Sequence, residues 1–170
     1  IDSLGAYIAD AAVSNAVIDL KRQTINIDSF EGSRLGASYI APDSATIAAT
    51  PQTGESSDST AAPWTIKIAA IDFTESNALY TTRGVTPQPG LDFAYIQADS
   101  MHLHVSDFYN RASEINLPLT LSAHERCGIA LRAKGTFAIA DSVMSFDNFV
   151  IRTAETTLSA NGFLGLGDMT

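Results

Sequence analysis

His102 and His104 stand one residue apart, and His124 and Cys127 follow further along the chain. Imidazole nitrogens and a thiolate are the donors that zinc takes, so these four on converging strands would make a metal site. On a strand, the His-x-His spacing puts both rings on one face. Their neighbours support a plainer reading. Met101, Leu103 and Val105 alternate with the two histidines, which sends the histidines to the solvent side. Cys127 before Gly128 could be a reactive thiol, but no base adjoins it in sequence. Asp72, Asp92, Asp99, Asp107, Glu114 and Glu125 could supply a carboxylate pair for glycoside hydrolysis, which needs two of them within roughly 10 Å. They are dispersed at the ends of apolar runs, where acidic residues usually solvate turns. The expectation is a chain with no catalytic residue, no metal ligand set and no cofactor.

The elements that would carry these residues have period two. Ile115-Asn116-Leu117-Pro118-Leu119-Thr120-Leu121-Ser122 alternates without a break, so Ile115, Leu117, Leu119 and Leu121 share one face of a strand. The same pattern marks Ile25 and Ile27, Ile66 and Ile68, Leu103 and Val105, Ile129 and Leu131, Phe137 and Ile139, and Met144 and Phe146. Two runs change phase: Ile68 is followed by Ile71 and Phe73, and Phe146 by Phe149 and Ile151. A β-bulge at each place would keep the apolar residues on one side. Short polar steps such as Glu31-Gly32-Ser33, Glu75-Ser76-Asn77 and Asp141-Ser142 predict tight antiparallel connections, because a parallel pair needs a crossover of a dozen or more residues. The expected fold is all-β, an antiparallel meander of amphipathic strands forming an elongated, curved or trough-like sheet. At the N-terminus a weak helical stripe competes with a hairpin formed by 16–20 and 24–27, and the β-branched residues favour the hairpin.

Composition sets outer limits. The 170 residues are 45% hydrophobic but only 17% charged, against roughly 25% in ordinary soluble proteins, so something other than a charged surface covers part of the chain. Ten scattered basic residues against 19 acidic ones, a net charge of -9, argue against a nucleic-acid partner. One cysteine rules out an internal disulfide. One domain over 1–170 is expected, with a mobile loop at 42–63 that is rich in Ser, Thr, Ala and Gly, and a second loop from Gly84 to Gly90. No window has the roughly 20 apolar residues of a membrane span, and the chain, beginning at Ile1, reads as a piece of a longer protein.

The segments 16–39, 64–80 and 137–161 each repeat an apolar pair, an Asp- or Asn-bearing step, a second apolar strand and a turn of small polar residues, as in a sheet built by adding units. Residues 10–20 into 24–27, then Pro63-Trp64-Thr65-Ile66-Lys67-Ile68 into Asn77-Ala78-Leu79-Tyr80, resemble TamB-like proteins of Bacteroidetes. Leu91-Asp92-Phe93 followed by the strand at 101–105, then His124-Glu125-Arg126-Cys127-Gly128, is similar to a recurring pattern of that family, and so is the run 149–158. The departures are Cys127 where Ser is usual and Thr156-Thr157 around an expected Ser.

The resemblance implies a non-catalytic segment of an AsmA/TamB-like envelope protein. Such a protein lies in the periplasm, is anchored in the inner membrane through a segment outside this chain, and acts in phospholipid transport or outer-membrane protein assembly with an outer-membrane assembly barrel as partner. Phospholipid acyl chains would lie on an apolar groove, for which the candidates are Ile66, Ile68, Leu103, Val105, Ile115, Leu117, Leu119, Leu121, Ile129, Leu131, Phe137 and Ile139. Self-association through sheet edges is a further expectation. The opposing readings are a closed sandwich in which the same faces pack on each other, and a surface adhesin or glycan-binding module using Trp64, Tyr95 and Tyr109.

Leu119→Asp should abolish folding or lipid binding, and Thr120→Asp should leave both unchanged, as followed by circular dichroism and lipid retention; equal tolerance would remove the strand assignment.

Overall fold

Alternation becomes eleven strands in the computed structural model, which describes residues 3–41, 63–140 and 142–165. In chain order they are β1 Ser3–Tyr7, β2 Asp10–Ser14, β3 Val17–Asp19, β4 Thr24–Ser33, β5 Gly36–Ala41, β6 Thr65–Thr82, β7 Tyr95–Arg111, β8 Glu114–Glu125, β9 Ala130–Ala140, β10 Val143–Arg152 and β11 Thr157–Gly165. They form one open, curved, mixed sheet, mostly antiparallel, with no helix among the described residues. The all-β class, the curvature and the amphipathic strands agree with the sequence reading.

The N-terminal hairpin forms as the β-branched residues require. Ile18 pairs with Ile25 across it, and the Asp19 carboxylate accepts hydrogen bonds from the Lys21 and Arg22 amides at 2.9 and 3.0 Å, which closes the turn. Beyond the turn β2 continues along β4, and β1 along β5. From β6 onward the chain is the expected meander, β6-β7-β8-β9-β10-β11.

The junction between these two parts corrects the purely antiparallel expectation. β4 and β5 both pair with β6 in parallel, Thr24 opposite Thr65 and Ala41 opposite Thr82. Chain direction is the reason: β5 ends at the same end of the sheet as β6 does, so β6 has to start from the other end. The short polar steps that indicate hairpins are absent between these two strands, and the loop expected at 42–63 lies, except for Pro63, outside the described residues.

Register shows how the phase changes are absorbed. Val105 is opposite Leu119 and Asn110 is opposite Ile115, and Leu119 and Ile115 share a face in unbroken β8. Val105 and Asn110 therefore share it too, although they are an odd number of residues apart. The change occurs at Asp107, whose φ of 51° is left-handed, inside a register shift between Val105 and Tyr109. Pro118 occupies the β8 side of this irregularity, where its missing N–H removes a donor that a regular ladder would need. Through Ile66 opposite Asn110 and Ile71 opposite Val105, the same correction keeps Ile66, Ile68, Ile71 and Phe73 on one face. Asn148, with φ 51°, does the same in β10 between Phe146 and Phe149, and its amide donates to the Asn161 carboxamide oxygen at 2.6 Å.

A second irregularity crosses the sheet through Arg34, Glu75 and Ser100, all with left-handed φ between 51° and 55°. Ser76, only 1% exposed, fastens it: its hydroxyl accepts from the Leu35 amide at 3.3 Å and donates to the Thr74 carbonyl at 3.0 Å.

Close approach between strands depends on missing side chains. A Cβ at Gly135 would lie 2.4 Å from the Phe149 ring and 2.8 Å from the Phe149 Cα, and one at Gly32 would lie 2.7 Å from both Phe73 and Ile8. Gly135→Ala should cost about 1–3 kcal/mol by forcing the β9–β10 backbones apart, read as a lower urea midpoint. Gly162→Ala, which meets nothing within 4 Å, should leave the midpoint where it is.

Candidate functional site

The twelve candidate groove residues can be placed through their cross-strand partners, because directly opposed residues share a face. Ile66 and Ile68 lie beside Ile25 and Ile27 on one side, and Ile68 lies beside Phe108 on the other. Leu103 and Val105 lie opposite Leu121 and Leu119, and Ile115 and Leu117 lie opposite Ile139 and Phe137. Leu131 is opposite Ala123. Eleven of the candidates thus stand on a single face. Ile129 precedes β9, in the turn whose carbonyl accepts from the Glu125 amide at 2.9 Å.

The twelve groove candidates leave out part of this face. Phe30, Ile71, Phe73, Phe108, Met144, Phe146, Phe149 and Ile151 join it through their partners. The phase breaks at Ile68–Ile71 and Phe146–Phe149 were the signal that these runs continue on one side. Ring contacts make the surface continuous: Phe30 with Phe73 at 5.7 Å, Phe137 with Phe146 at 5.5 Å, and Phe146 with Phe149 at 6.1 Å between centroids. Past the second irregularity the face goes on as Ala37, Ala78 and Ala98 beside Leu4, Tyr39, Tyr80 and Ile96, around a shallow apolar depression of about 250 Å³.

No second layer packs on this face among the described residues. Their buried apolar core consists of Val105, Ala123 and Ala133, and the other candidates are half-buried. A closed sandwich would bury them, so the arrangement seen here is an open sheet.

The opposite face is polar. His104 Nδ1 lies 2.6 Å from Asp72 Oδ1, an exposed pair joining β6 and β7 that nothing in the sequence signals across its separation. His102 and His124 share this face and are also exposed. Among the described residues, no group of three or more His, Cys, Asp or Glu side chains could hold a metal ion. A depression of about 560 Å³ on this side is lined by Asp10, Ala11, Ala12, Glu31, Gly32, Ser33, Asp72 and Thr74.

None of the six carboxylates is opposite another in the strand registers. Asp72 faces His104 on one side and Glu31 of β4 on the other, Asp99 faces His124, Glu114 faces Arg111 and Glu125 faces Ala98. Asp92 closes its own turn, accepting from the Gln88 and Ala94 amides at 2.9 and 3.0 Å, and these bonds hold its carboxyl below the ordinary value. The Cys127 thiol bonds to Glu125, whose charge it faces, and its pKa is raised, which is the reverse of an activated nucleophile. Tyr95 and Tyr109 carry cations near their rings, Arg126 at 5.4 Å and Lys67 at 6.0 Å. Trp64 is 39% exposed at the end of the sheet away from Tyr95, so the three do not form one stacking platform.

No family model matches this chain, and no curated protein or solved structure matches it either.

Glu125 is the one nearly buried acid among the described residues, 8% exposed. Burial works to raise its pKa, but hydrogen bonds from the Cys127 thiol and amide, with the charge of Arg126, outweigh it and the pKa is lowered from 4.5. A depressed folded-state pKa adds stability above the unfolded value that disappears as pH falls through the folded one. Below about pH 4.5 the wild type should therefore lose stability faster than Glu125→Gln, measured by urea melts across that range.

Proposed function

We propose that this chain is a non-catalytic β-segment of a periplasmic, AsmA/TamB-like envelope protein, and that its apolar face holds phospholipid acyl chains. The observation that carries the reading is the apolar face itself, continuous across the sheet and without a second layer among the described residues. Each methylene removed from water is worth about 0.8 kcal/mol, so a chain laying one side of roughly ten methylenes on this face gains about 4 kcal/mol before binding costs. Such binding needs no directional chemistry. That suits a surface of Ile, Leu, Val and Phe whose polar groups are committed to turns and ladders.

Inner-membrane anchoring outside this chain, phospholipid transport or outer-membrane protein assembly, and an outer-membrane assembly barrel as partner follow from the AsmA/TamB resemblance and form part of the same proposal. The half-buried apolar residues agree with it, because an elongated lipid conduit is a sheet with one wet face and one greasy face. The glycan-binding alternative draws less support, since Trp64 stands apart from Tyr95.

Protein purified from cells should retain lipid in native mass spectrometry. A phospholipid with a photoreactive acyl chain should label peptides through Ile71, Leu103, Leu119 and Phe137, and should leave His104, Thr120 and Lys134 unlabelled. Equal labelling of both faces, or no retained lipid with no rebinding after delipidation, would sink the proposal.

A further inference from the structure

The polar face sorts its charges. Toward β2, β4 and β6 it carries Asp10, Glu31 and Asp72, around the larger depression. Across β9 and β10 it carries cations: Arg132 is opposite Ser122 on one side and Arg152 on the other, and Lys134, two residues along the same face, is opposite Thr120 and Val150. All three are exposed. Ser122 is in turn opposite His102, and Arg152 is opposite Thr157, so a row of side chains able to donate hydrogen bonds crosses five strands.

The pairing of Arg132 with Arg152 runs against the energetics of a sheet. Directly opposed residues bring their Cβ atoms to about 5 Å, where like charges repel. In a chain with 19 acidic residues and ten basic ones, a carboxylate partner would be the ordinary choice. Arg22, Arg34 and Arg126 each have one, in Asp19, Asp10 and Glu125. Arg132, Lys134 and Arg152 make no ion pair and no hydrogen bond among the described residues. Asp99 and Asp147, on the same face, bond to Gln97 and Ser145 instead.

Beside these cations the face is hollowed. A depression of about 380 Å³ is lined by hydroxyls of Ser106, Thr120 and Thr136, by His104, Lys134 and Asn148, and otherwise by Pro118, Leu119 and Gly135. No carboxylate lines it, in contrast to the depression that holds Asp10, Glu31 and Asp72.

We infer that this part of the polar face binds a phosphate ester of a polyol, its phosphate held by Arg132 and Arg152 with Lys134, and its hydroxylated part in the adjoining depression. A guanidinium offers two parallel N–H donors that match two oxygens of a phosphate, and a lysine adds a point charge. A bound dianion turns the repulsion between the opposed arginines into attraction to a shared centre. The hydroxyls and the carboxamide in the depression serve as both donors and acceptors, as the hydroxyls of a sugar or a glycerol require. The ester can come free in solution or as the headgroup of a lipid, and the chemistry is the same for both. The site lies on the face opposite the apolar one and does not require that face to bind acyl chains.

The test is an NMR titration of the whole chain with glycerol 3-phosphate, with sodium chloride at equal ionic strength as the control, and co-sedimentation with phosphatidylglycerol and with phosphatidylcholine vesicles. Saturable shifts centred on Ser122, Arg132, Lys134 and Arg152 would support a free ester as the source. Binding to phosphatidylglycerol vesicles alone, and not to phosphatidylcholine, would support a headgroup. In either arm Arg132→Gln/Arg152→Gln should bind at least about tenfold more weakly. Arg111→Gln, an exposed cation at the far end of β7, should bind as wild type does. Without ligand, Arg152→Gln should unfold at a urea midpoint no lower than that of wild type, because it removes the opposed charge. A lower midpoint would assign the pair to holding β9 against β10 and would overturn the inference. No binding of either probe, equal binding by the double variant, or the same shifts with chloride would overturn it too. Should the double variant fail to fold, the two single variants are titrated in its place. Photolabelling of the apolar face is read separately, so either reading can fail without the other.

Discussion

Long strands in a twisted sheet have to bend, and bending has to keep their apolar side chains on one side. β6 has 18 residues and β7 has 17, far beyond the usual strand of five or six. A one-residue irregularity in such a strand turns every later side chain over. Here it comes back into phase at Asp107 and Asn148, and along the line through Arg34, Glu75 and Ser100. Non-glycine residues in the left-handed region are uncommon, and several of these are short polar residues that tolerate it best. The apolar face exists because these positions accept that conformation.

A single layer follows from the same constraint. With strands bent in common and paired edge to edge, each side chain on the apolar face meets neighbours along and across its own sheet, and among the described residues it meets no opposing sheet. That is why Val105, between Ile71 and Leu119, is 2% exposed while residues nearer the edges are open. Stability then comes from ladders, side-by-side apolar contacts and aromatic pairs more than from a closed core. Gly32 and Gly135 matter in this setting because they let an aromatic ring lie flat against a neighbouring strand.

The polar groups that might have done chemistry are committed to geometry. Asp19 and Asp92 fold their own turns, and Glu125 gathers the turn that carries Cys127 and leaves the thiol with a raised pKa. Arg126 donates to the Gln88 and Gly90 carbonyls at 2.6 and 3.3 Å, tying the loop before β7 to the turn after β8. Carboxylates and a guanidinium that look dispersed in sequence are distributed because turns are.

Face membership was legible in the amino-acid sequence wherever alternation is unbroken, because side-chain direction along a strand is a local property. Ile115, Leu117, Leu119 and Leu121 show this, and so does the hairpin that pairs Ile18 with Ile25. The phase breaks at Ile68–Ile71 and Phe146–Phe149 showed that irregularities were needed but not which residue would turn left-handed, since that depends on the neighbouring strand, as with Pro118 beside Asp107. The parallel pairing of β4 and β5 with β6 had no sequence signal, and neither did the contact between Asp72 and His104, because both join segments far apart in the chain. Alternation by itself suits a closed sandwich and an open sheet equally. Only the tertiary structure, by leaving the apolar face without a second layer among the described residues, decided between them, because burial is set by what packs against a face and not by the residues within it.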